Sequence, residues 1–354
     1  MNHSGDPTGA AAPLAHPVPF QFPSSMETTA FRIASDRVKR LRHGAVIVQD
    51  TPAIFDVSGP GALQCLQGLL TNDLVKPGED SLVYGALLTP KGMILVDEWV
   101  IRRPGSLLLI GASSGRDVAI ELFRRQLPPR LARVSDRTGE IAVAWLHGEQ
   151  SLGTLRFSGL GAVPEFPGRV ADGGAGTGLV IARAPAGAPF TALLTGDADA
   201  ISRAIAAFER AGGARGDSLD HEAARIFAGW PALGQEIDEK TLPQEVRFDE
   251  NEGVSYTKGC YTGQETVARL HFRGHANREL RGLLWEGNAA PLHVGIVNAD
   301  GRDVGTIRST IVLPGCVLGL GLIRREVSPG DTVSAGGIQA EVVALPFEGS
   351  QLEG

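Results

Sequence analysis

The chain has 354 residues, enough for two or three domains that each bury a core. Its net charge of −7 and apolar share of 43% fit a soluble globular protein and argue against a nucleic-acid binder, which usually presents a basic face. Three scattered cysteines with no C-x-x-C are too few for a disulfide framework or for four-thiolate ligation of an iron–sulfur cluster, and an odd count suits a reducing compartment.

The first residues lack a basic segment followed by an apolar run, so no signal peptide is expected. Residues 1–27 are rich in Pro, Ala, Gly and Ser and almost uncharged, a composition that cannot offset its own chain entropy and reads as a disordered tail. From Arg37 the chain becomes patterned. Gly44–Val48 reads as a strand, and Ser58 is placed to cap a helix running to Leu70, with Pro60 near its first turn and Cys65 packed inside it. Strands are expected over Leu82–Leu88, Ile94–Ile101 and Leu107–Ile110, then a helix over Asp117–Gln126.

The same grammar recurs with strands at Ile141–Leu146, Leu179–Ala182 and Phe190–Leu194 and a helix at Ile201–Arg210. The two strand–loop–helix units, Leu107–Gln126 and Phe190–Arg210, imply an internal pseudo-repeat and two lobes, roughly 37–135 and 136–278. Gly153–Gly178 reads as a glycine-rich surface loop, and Asp217 or Ser218 can cap a helix from Leu219 to near Gly229. Beyond Arg278, six short β-type runs separated by Gly, Pro and Asp turns predict a small β-barrel over 279–347. The apolar stretch Ile311–Ile323 is too short to span a membrane and is broken by Pro314.

One stretch concentrates chemistry: Lys258-Gly259-Cys260-Tyr261-Thr262-Gly263-Gln264-Glu265. A thiol acts as nucleophile or redox group only as thiolate, which a neighbouring cation such as Lys258 favours. Gly259 and Gly263 permit a sharp turn, and Gln264-Glu265 open an apolar-periodic run that can start a helix. The plain alternative is a tight turn around an inert cysteine. His271 and His275 follow closely and would pair with Cys260 only if the fold brought the rings within reach, so a surface role beside Arg269 and Arg273 is preferred. His221 reads as structural, and no metal-ligand spacing stands out.

The K-G-C-Y-T-G-Q-E segment resembles the signature of the YgfZ family, folate-binding relatives of the glycine-cleavage T-protein, an aminomethyltransferase. Upstream, Asp238 to Glu245 (D-E-K-T-L-P-Q-E) and downstream Val267-Ala268-Arg269 and Arg273-Gly274-His275 continue the likeness, which is specific over 219–284, looser over 37–213 and absent before Thr28. The resemblance implies an α+β, two-lobed T-protein-like folate-binding region over 37–278, followed by the C-terminal barrel. Its pattern of a tyrosine, a K-G turn and an acid matches Tyr84, Lys91-Gly92 and Asp97; the matching acid of T-proteins lies beside the folate and takes part in one-carbon transfer. Arg225 matches the arginine of the R-x-E-x-G helix that helps hold folate, whereas the family glutamate two residues on is Phe227, and the T-G-E-x-G element has no clear match between Phe190 and Ala200.

These likenesses imply a tetrahydrofolate-binding accessory protein that supports synthesis or repair of iron–sulfur enzymes. Asp97 would meet the donor edge of the pterin ring and Arg225 the glutamyl tail, with Tyr84 beside them. Cys260, Lys258 and Asp97 would be the reacting groups. The alternatives are a folate-dependent aminomethyltransferase of the glycine-cleavage type and, more weakly, a Cys–His hydrolase; the residues leave open whether any reaction is catalysed. Expected partners are a folate, tetrahydrofolate or a one-carbon derivative, and iron–sulfur client or assembly proteins. Neither nucleic acid nor membrane is expected as a partner, the expected location is the cytoplasm, and the expected state is a monomer.

Overall fold

The computed structural model describes residues 31–289, 291 and 293–352. The expected tail over 1–27 lies outside the described residues.

Two sheets make up the first part of the chain. A five-stranded antiparallel sheet runs Ser81–Leu88, Ile94–Arg103, Ser106–Gly111, Ala53–Ser58, Arg133–Asp136 in spatial order. Helices Ala62–Gln67 and Arg116–Gln126 cover one face, burying Leu66, Leu70, Phe55 and Phe123 in one apolar cluster. A six-stranded sheet is built on Val46–Asp50, Ala142–His147, Ala192–Gly196, Val180–Arg183 and Val170–Asp172, with the short Ala214–Arg215 parallel to Val46–Asp50 at one edge. Helix Ala198–Arg210 covers it, with Asp197 capping its first turn by accepting from the Ala200 N–H. The other faces of the two sheets contribute to one shared cluster that also takes in residues of the barrel. Neither sheet is the long parallel kind.

The paired units recur as expected, each a strand followed by a helix. The chain halves, however, interlock: Val46–Asp50, from the first half, pairs with Ala142–His147, from the second. Other expectations need correction. Ser58 ends a central strand and does not cap the following helix, which spans only Ala62–Gln67 behind Gly61. The segment Ala53–Ser58 is a strand because its branched and aromatic side chains bury on both faces between Ser106–Gly111 and Arg133–Asp136. Residues 153–178 are more than a loop, holding most of helix Ser151–Phe157 and the edge strand Val170–Asp172. Helix Ser35–His43 and strand Arg133–Asp136 carry patterns too short or too polar to read from sequence.

The C-terminal part is a closed six-stranded antiparallel barrel. Strand Arg278–Glu286 pairs with both Cys316–Arg324 and Ile338–Val343, and the ring is completed through Asp303–Leu313, Gly295–Val297 and Thr332–Ala335. Closure leaves no bare edge within the ring. Its interior packs around Trp285, which is fully buried and donates to the Ala335 carbonyl at 3.1 Å. Phe31–Arg32 adds in parallel to Asp303–Leu313.

The segment Asp238–Glu245 fastens the barrel to the sheets. Arg308 of the barrel bonds Asp238 at 3.1 Å, Arg278 forms a fork with both Glu245 oxygens at 2.9 and 3.1 Å, and the Thr241 carbonyl accepts from Ile94 N–H at 2.9 Å. The D-E-K-T-L-P-Q-E run is therefore a joint between the two parts.

Candidate functional site

Strand alternation decides the first site residue. Along Ile94–Arg103, Ile94, Trp99 and Ile101 face the cluster shared with the barrel, while Val96 and Val100 face the helix-covered core. Asp97 falls on the shared side and Glu98 on the other. Tyr84 lies opposite Trp99 in register on the neighbouring strand, and its hydroxyl donates to Asp97 Oδ2 at 2.9 Å. Asp97 lines a cavity of about 280 Å³ that also takes in Asp50, His221, Arg225 and the rings of Trp99, Trp145 and Trp230.

The cavity wall is aromatic. Trp99 and Trp230 stack at 5.5 Å with 18° between planes, Tyr84 backs onto both at 4.8 Å, and Phe190 bridges Trp99 (4.8 Å) and Trp145 (4.7 Å). Such surroundings raise the cost of charge. Burial pushes the Asp97 carboxyl up to about 6, opposed by the Tyr84 hydrogen bond, and holds the Tyr84 hydroxyl well above its usual range, so that it stays a donor. Asp97 is thus a carboxylate near neutrality that can also hold a proton in slightly acidic conditions. A flat, apolar-faced ring with N–H groups on one edge suits such a cavity: its faces meet tryptophan and its edge meets a carboxylate.

Arg225 shares the cavity but is already engaged. It lies on helix Ser218–Phe227, whose start is held by a capping box: Asp217 accepts from the Leu219 and Asp220 N–H groups, and Asp220 accepts from the Asp217 N–H. The guanidinium bonds Glu222 (Nε to Oε2, 2.7 Å), Glu236 and the Trp230 carbonyl (both 3.0 Å), Gln235 (2.7 Å) and Ser309 of the barrel (2.8 Å). These acceptors occupy its five N–H groups. Glu222 and Glu236, neither singled out in the sequence, supply the carboxylates. The free cation expected for a glutamyl tail is here a buried clamp between helix, loop and barrel.

The cysteine stretch is organised differently. Gly263 (φ 82°) precedes helix Gln264–Arg273, and a Cβ there would stand 2.6 Å from the Thr89 carbonyl oxygen; one on Gly92 would stand 2.8 Å from Thr266 Cβ. The two glycines thus let the cysteine turn dock on the Thr89–Gly92 turn that precedes the Asp97 strand. Cys260 is exposed, Cys65 half-buried, and Cys316 buried with its thiol pushed up by burial. Lys91 is exposed.

Lys258 departs from its expected role. Its side chain is buried, and its ammonium donates to the carbonyls of Gln67 (2.7 Å), Leu70 (2.6 Å) and Asn72 (2.8 Å) at and beyond the end of helix Ala62–Gln67. Three N–H groups meet three acceptors, leaving none for a thiolate. Burial lowers its pKa to about 8, with Asp73 opposing. Of the two histidines considered as partners of Cys260, His275 is exposed, and His271 stacks on Tyr256 at 3.6 Å and meets Asp249 at 3.2 Å, with Tyr256 hydrogen-bonded to the same carboxylate. The structure brings Tyr84, Asp97 and Arg225 together. It does not join Lys258 or His271 to Cys260.

The tryptophans are the group that sequence reasoning missed. The chain holds four, and three converge on one cavity from positions 99, 145 and 230. Their scarcity, with one two residues after Asp97 and one five after Arg225, is the signal that could have found them.

Among the described residues, no group of His, Cys, Asp and Glu could hold a metal ion, and no helix is long and apolar enough to cross a membrane. Residues 9–157 match the GCVT N-terminal domain, so the likeness starts ahead of the Thr28 limit read from motifs. An aminomethyltransferase of Rubrobacter xylanophilus is 27% identical over 332 residues, covering 85% of this chain and 84% of its own. The tRNA-modifying protein YgfZ of Edwardsiella ictaluri is 31% identical over 233 residues, 65% of this chain and 67% of its own, and that of Klebsiella pneumoniae is 30% identical over 233 residues, 65% and 68%. The crystal structure of the glycine cleavage system aminomethyltransferase T from Bartonella henselae superposes with a TM-score of 0.75 at 18% identity, covering 88% of this chain and 89% of that one, so the fold is that of a T-protein. Together with the signature at Lys258–Glu265, these matches show that the chain belongs to the YgfZ family of T-protein relatives.

Proposed function

We propose that the protein binds a reduced folate in the tryptophan cavity, with Asp97 accepting from the donor edge of the pterin ring, and serves as an accessory factor for iron–sulfur enzymes through Cys260. The observation that supports the folate reading best is Asp97 itself: a carboxylate oriented by Tyr84, raised to about 6, in a cavity walled by stacked tryptophans. Arg225 acts as the clamp that keeps the cavity's helix against the barrel, and the glutamyl tail extends outward from it.

Cys260 stays available for covalent or redox chemistry because it is exposed beside the docked turn. The relatives named tRNA-modifying proteins suggest that the served enzymes include one that modifies tRNA. A genuine aminomethyltransferase is the second reading, favoured by the likeness over most of the chain to the Rubrobacter protein. Calorimetric titration with tetrahydrofolate tests the first step. Complementation of a deletion strain by Cys260→Ser, read as the activity of iron–sulfur enzymes, tests the second. Full restoration by the serine variant would remove the thiol from the function. Formation of methylenetetrahydrofolate with release of ammonia and the free thiol, from a thiol-bound aminomethyl group and tetrahydrofolate in vitro, would favour the transferase reading.

A further inference from the structure

A histidine on the cavity wall, His221, and a second behind it, His147, form a chain whose protons can be placed. His147 ends strand Ala142–His147 and is 2% exposed; its Nδ1 lies 3.0 Å from the Pro189 carbonyl oxygen. A carbonyl only accepts, so Nδ1 carries a proton. His147 Nε2 faces His221 Nδ1 at 3.3 Å. Either His147 is neutral and accepts there, or it is charged and donates. Burial settles the choice, because it lowers the His147 imidazole to about 3, with the neighbouring His221 acting in the same direction. His147 is therefore neutral, its Nε2 is a lone pair, and His221 Nδ1 must donate to it.

His221 is then fixed in one tautomer. Burial, the largest influence, also lowers its pKa, against the attraction of Asp50 and Glu222, so it is neutral near pH 7 and its Nε2 is a bare acceptor. No described protein group bonds that nitrogen, and it is not sealed from solvent. His221 lines the cavity with Asp50, Asp97 and Glu222, and its ring leans on Trp145 at 5.2 Å. Arg225 has no N–H left. Of the other polar side chains lining the cavity, Asp50, Asp97 and Glu222 present acceptors, and the hydroxyls of Thr51 and Ser113 serve either way. The indole N–H groups of the tryptophans are donors, that of Trp145 being given to Asp50 at 3.2 Å.

We propose that the His147–His221 pair makes this wall select the tetrahydro ring of a folate over the fully oxidised ring. The inference rests on the folate reading above. In the tetrahydro ring the two nitrogens of the reduced pyrazine half are N–H donors. In the oxidised ring both are lone-pair acceptors, and whichever of them met His221 Nε2 would set lone pair against lone pair, where the reduced ring makes a hydrogen bond. His221 is then a specificity-determining residue, and His147, one bond behind it, a positioning residue.

Two measurements test this on the full chain. ¹⁵N NMR of the histidine side chains, without ligand at pH 7, should show His221 with protonated Nδ1 and unprotonated Nε2. Titration with tetrahydrofolate and with folic acid should show a preference for the reduced ring of about tenfold or more, which His221→Phe abolishes by weakening tetrahydrofolate and not folic acid. His147→Phe releases the tautomer and should reduce the preference while leaving some affinity for both. If the phenylalanine variant does not fold, His221→Gln, whose amide can rotate to present a donor, should raise folic acid affinity. Equal binding of both folates that His221→Phe leaves unchanged, or the opposite tautomer of His221, overturns this inference alone. Binding of neither folate overturns the folate reading and this inference with it.

Discussion

The cysteine turn docks just before the strand Ile94–Arg103, whose middle carries Asp97 and Trp99 of the tryptophan cavity, yet the two regions treat charge in opposite ways. The cavity encloses its acid, Asp97, in aromatic rings and lifts its pKa to about 6. The turn leaves its thiol exposed and buries the neighbouring cation instead, tying Lys258 to three carbonyls. A perturbed group in an enclosed cavity is what ligand chemistry uses. A buried lysine capping carbonyls is what a fold uses to hold a loop in place. The difference teaches that neighbouring residues of one motif can serve two unrelated ends, with Cys260 available for chemistry and Lys258 taken up by architecture.

The largest expected effect therefore belongs to the lysine. Lys258→Met would leave three carbonyls without their donor, and with about 1–3 kcal/mol for each buried unsatisfied group a loss of about 3 kcal/mol or more is expected, read as a fall in the denaturant midpoint. The alkylation rate of Cys260 in whatever fraction stays folded should be unchanged. A slowed rate with unchanged stability would reverse the comparison.

Next comes Asp97→Asn. Loss of a charged hydrogen bond costs about 1.5–3 kcal/mol, so tetrahydrofolate affinity should fall roughly 10- to 100-fold in calorimetry. The wild-type affinity should also depend on pH. The ionised acceptor is present above about 6 and lost as pH falls through that value, so binding should weaken on acidification through about 6, and the asparagine variant should lose that component of the pH dependence. Over that range Tyr84 stays protonated and His147 stays neutral. A pH-independent wild type would remove Asp97 from the ligand's edge.

Gly263→Ala probes the contact between the two regions. It forces a Cβ to within 2.6 Å of the Thr89 oxygen at φ 82°, and a loss of about 1–2 kcal/mol is expected. Wild-type stability in that variant would mean that the turn is not docked.

Glu98 offers a smaller effect of the opposite sign. It is 2% exposed, lies between Gly85 and Gly111 in register, has one oxygen without a partner, and is raised well above 4.5 by burial, then by the Asp97 charge. A carboxyl whose folded pKa exceeds its unfolded value binds more protons folded than unfolded between the two, so its contribution to stability declines as pH rises from about 4.5. Glu98→Gln should accordingly raise the melting temperature at pH 8 and change it little at pH 4. The smallest effect is Cys260→Ser, expected within about 0.5 kcal/mol of wild type because the thiol is exposed. Alkylation should run fastest at Cys260 and slowest at buried Cys316.

How much of this was legible depended on how far apart the partners lie. The barrel could be read because each of its strands is a short β run closed by turn residues, and the expected span 279–347 takes in all but the first residue of strands that run from Arg278 to Val343. The helix Ser218–Phe227 could be read because its cap, Asp217, is one residue away. Asp97 and Tyr84 were named from a motif, and their pairing across adjacent strands follows from a hairpin thirteen residues deep. Ala53–Ser58 could not be separated from the helix behind it, since the run is short and its buried–half-buried alternation covers only Phe55–Ser58.

By itself, the sequence determined the local elements, the turn geometry that only glycine permits, and the family signature around Cys260. Only the tertiary structure decided what the charged groups do. Lys258 meets carbonyls nearly two hundred residues earlier in the chain, Arg225 meets Ser309, and His221 meets His147, separations of 191, 84 and 74 residues. A buried ion must find its counter-charges or carbonyls wherever packing brings them. That search is settled by how the sheets and the barrel close on one another, and no local pattern records it.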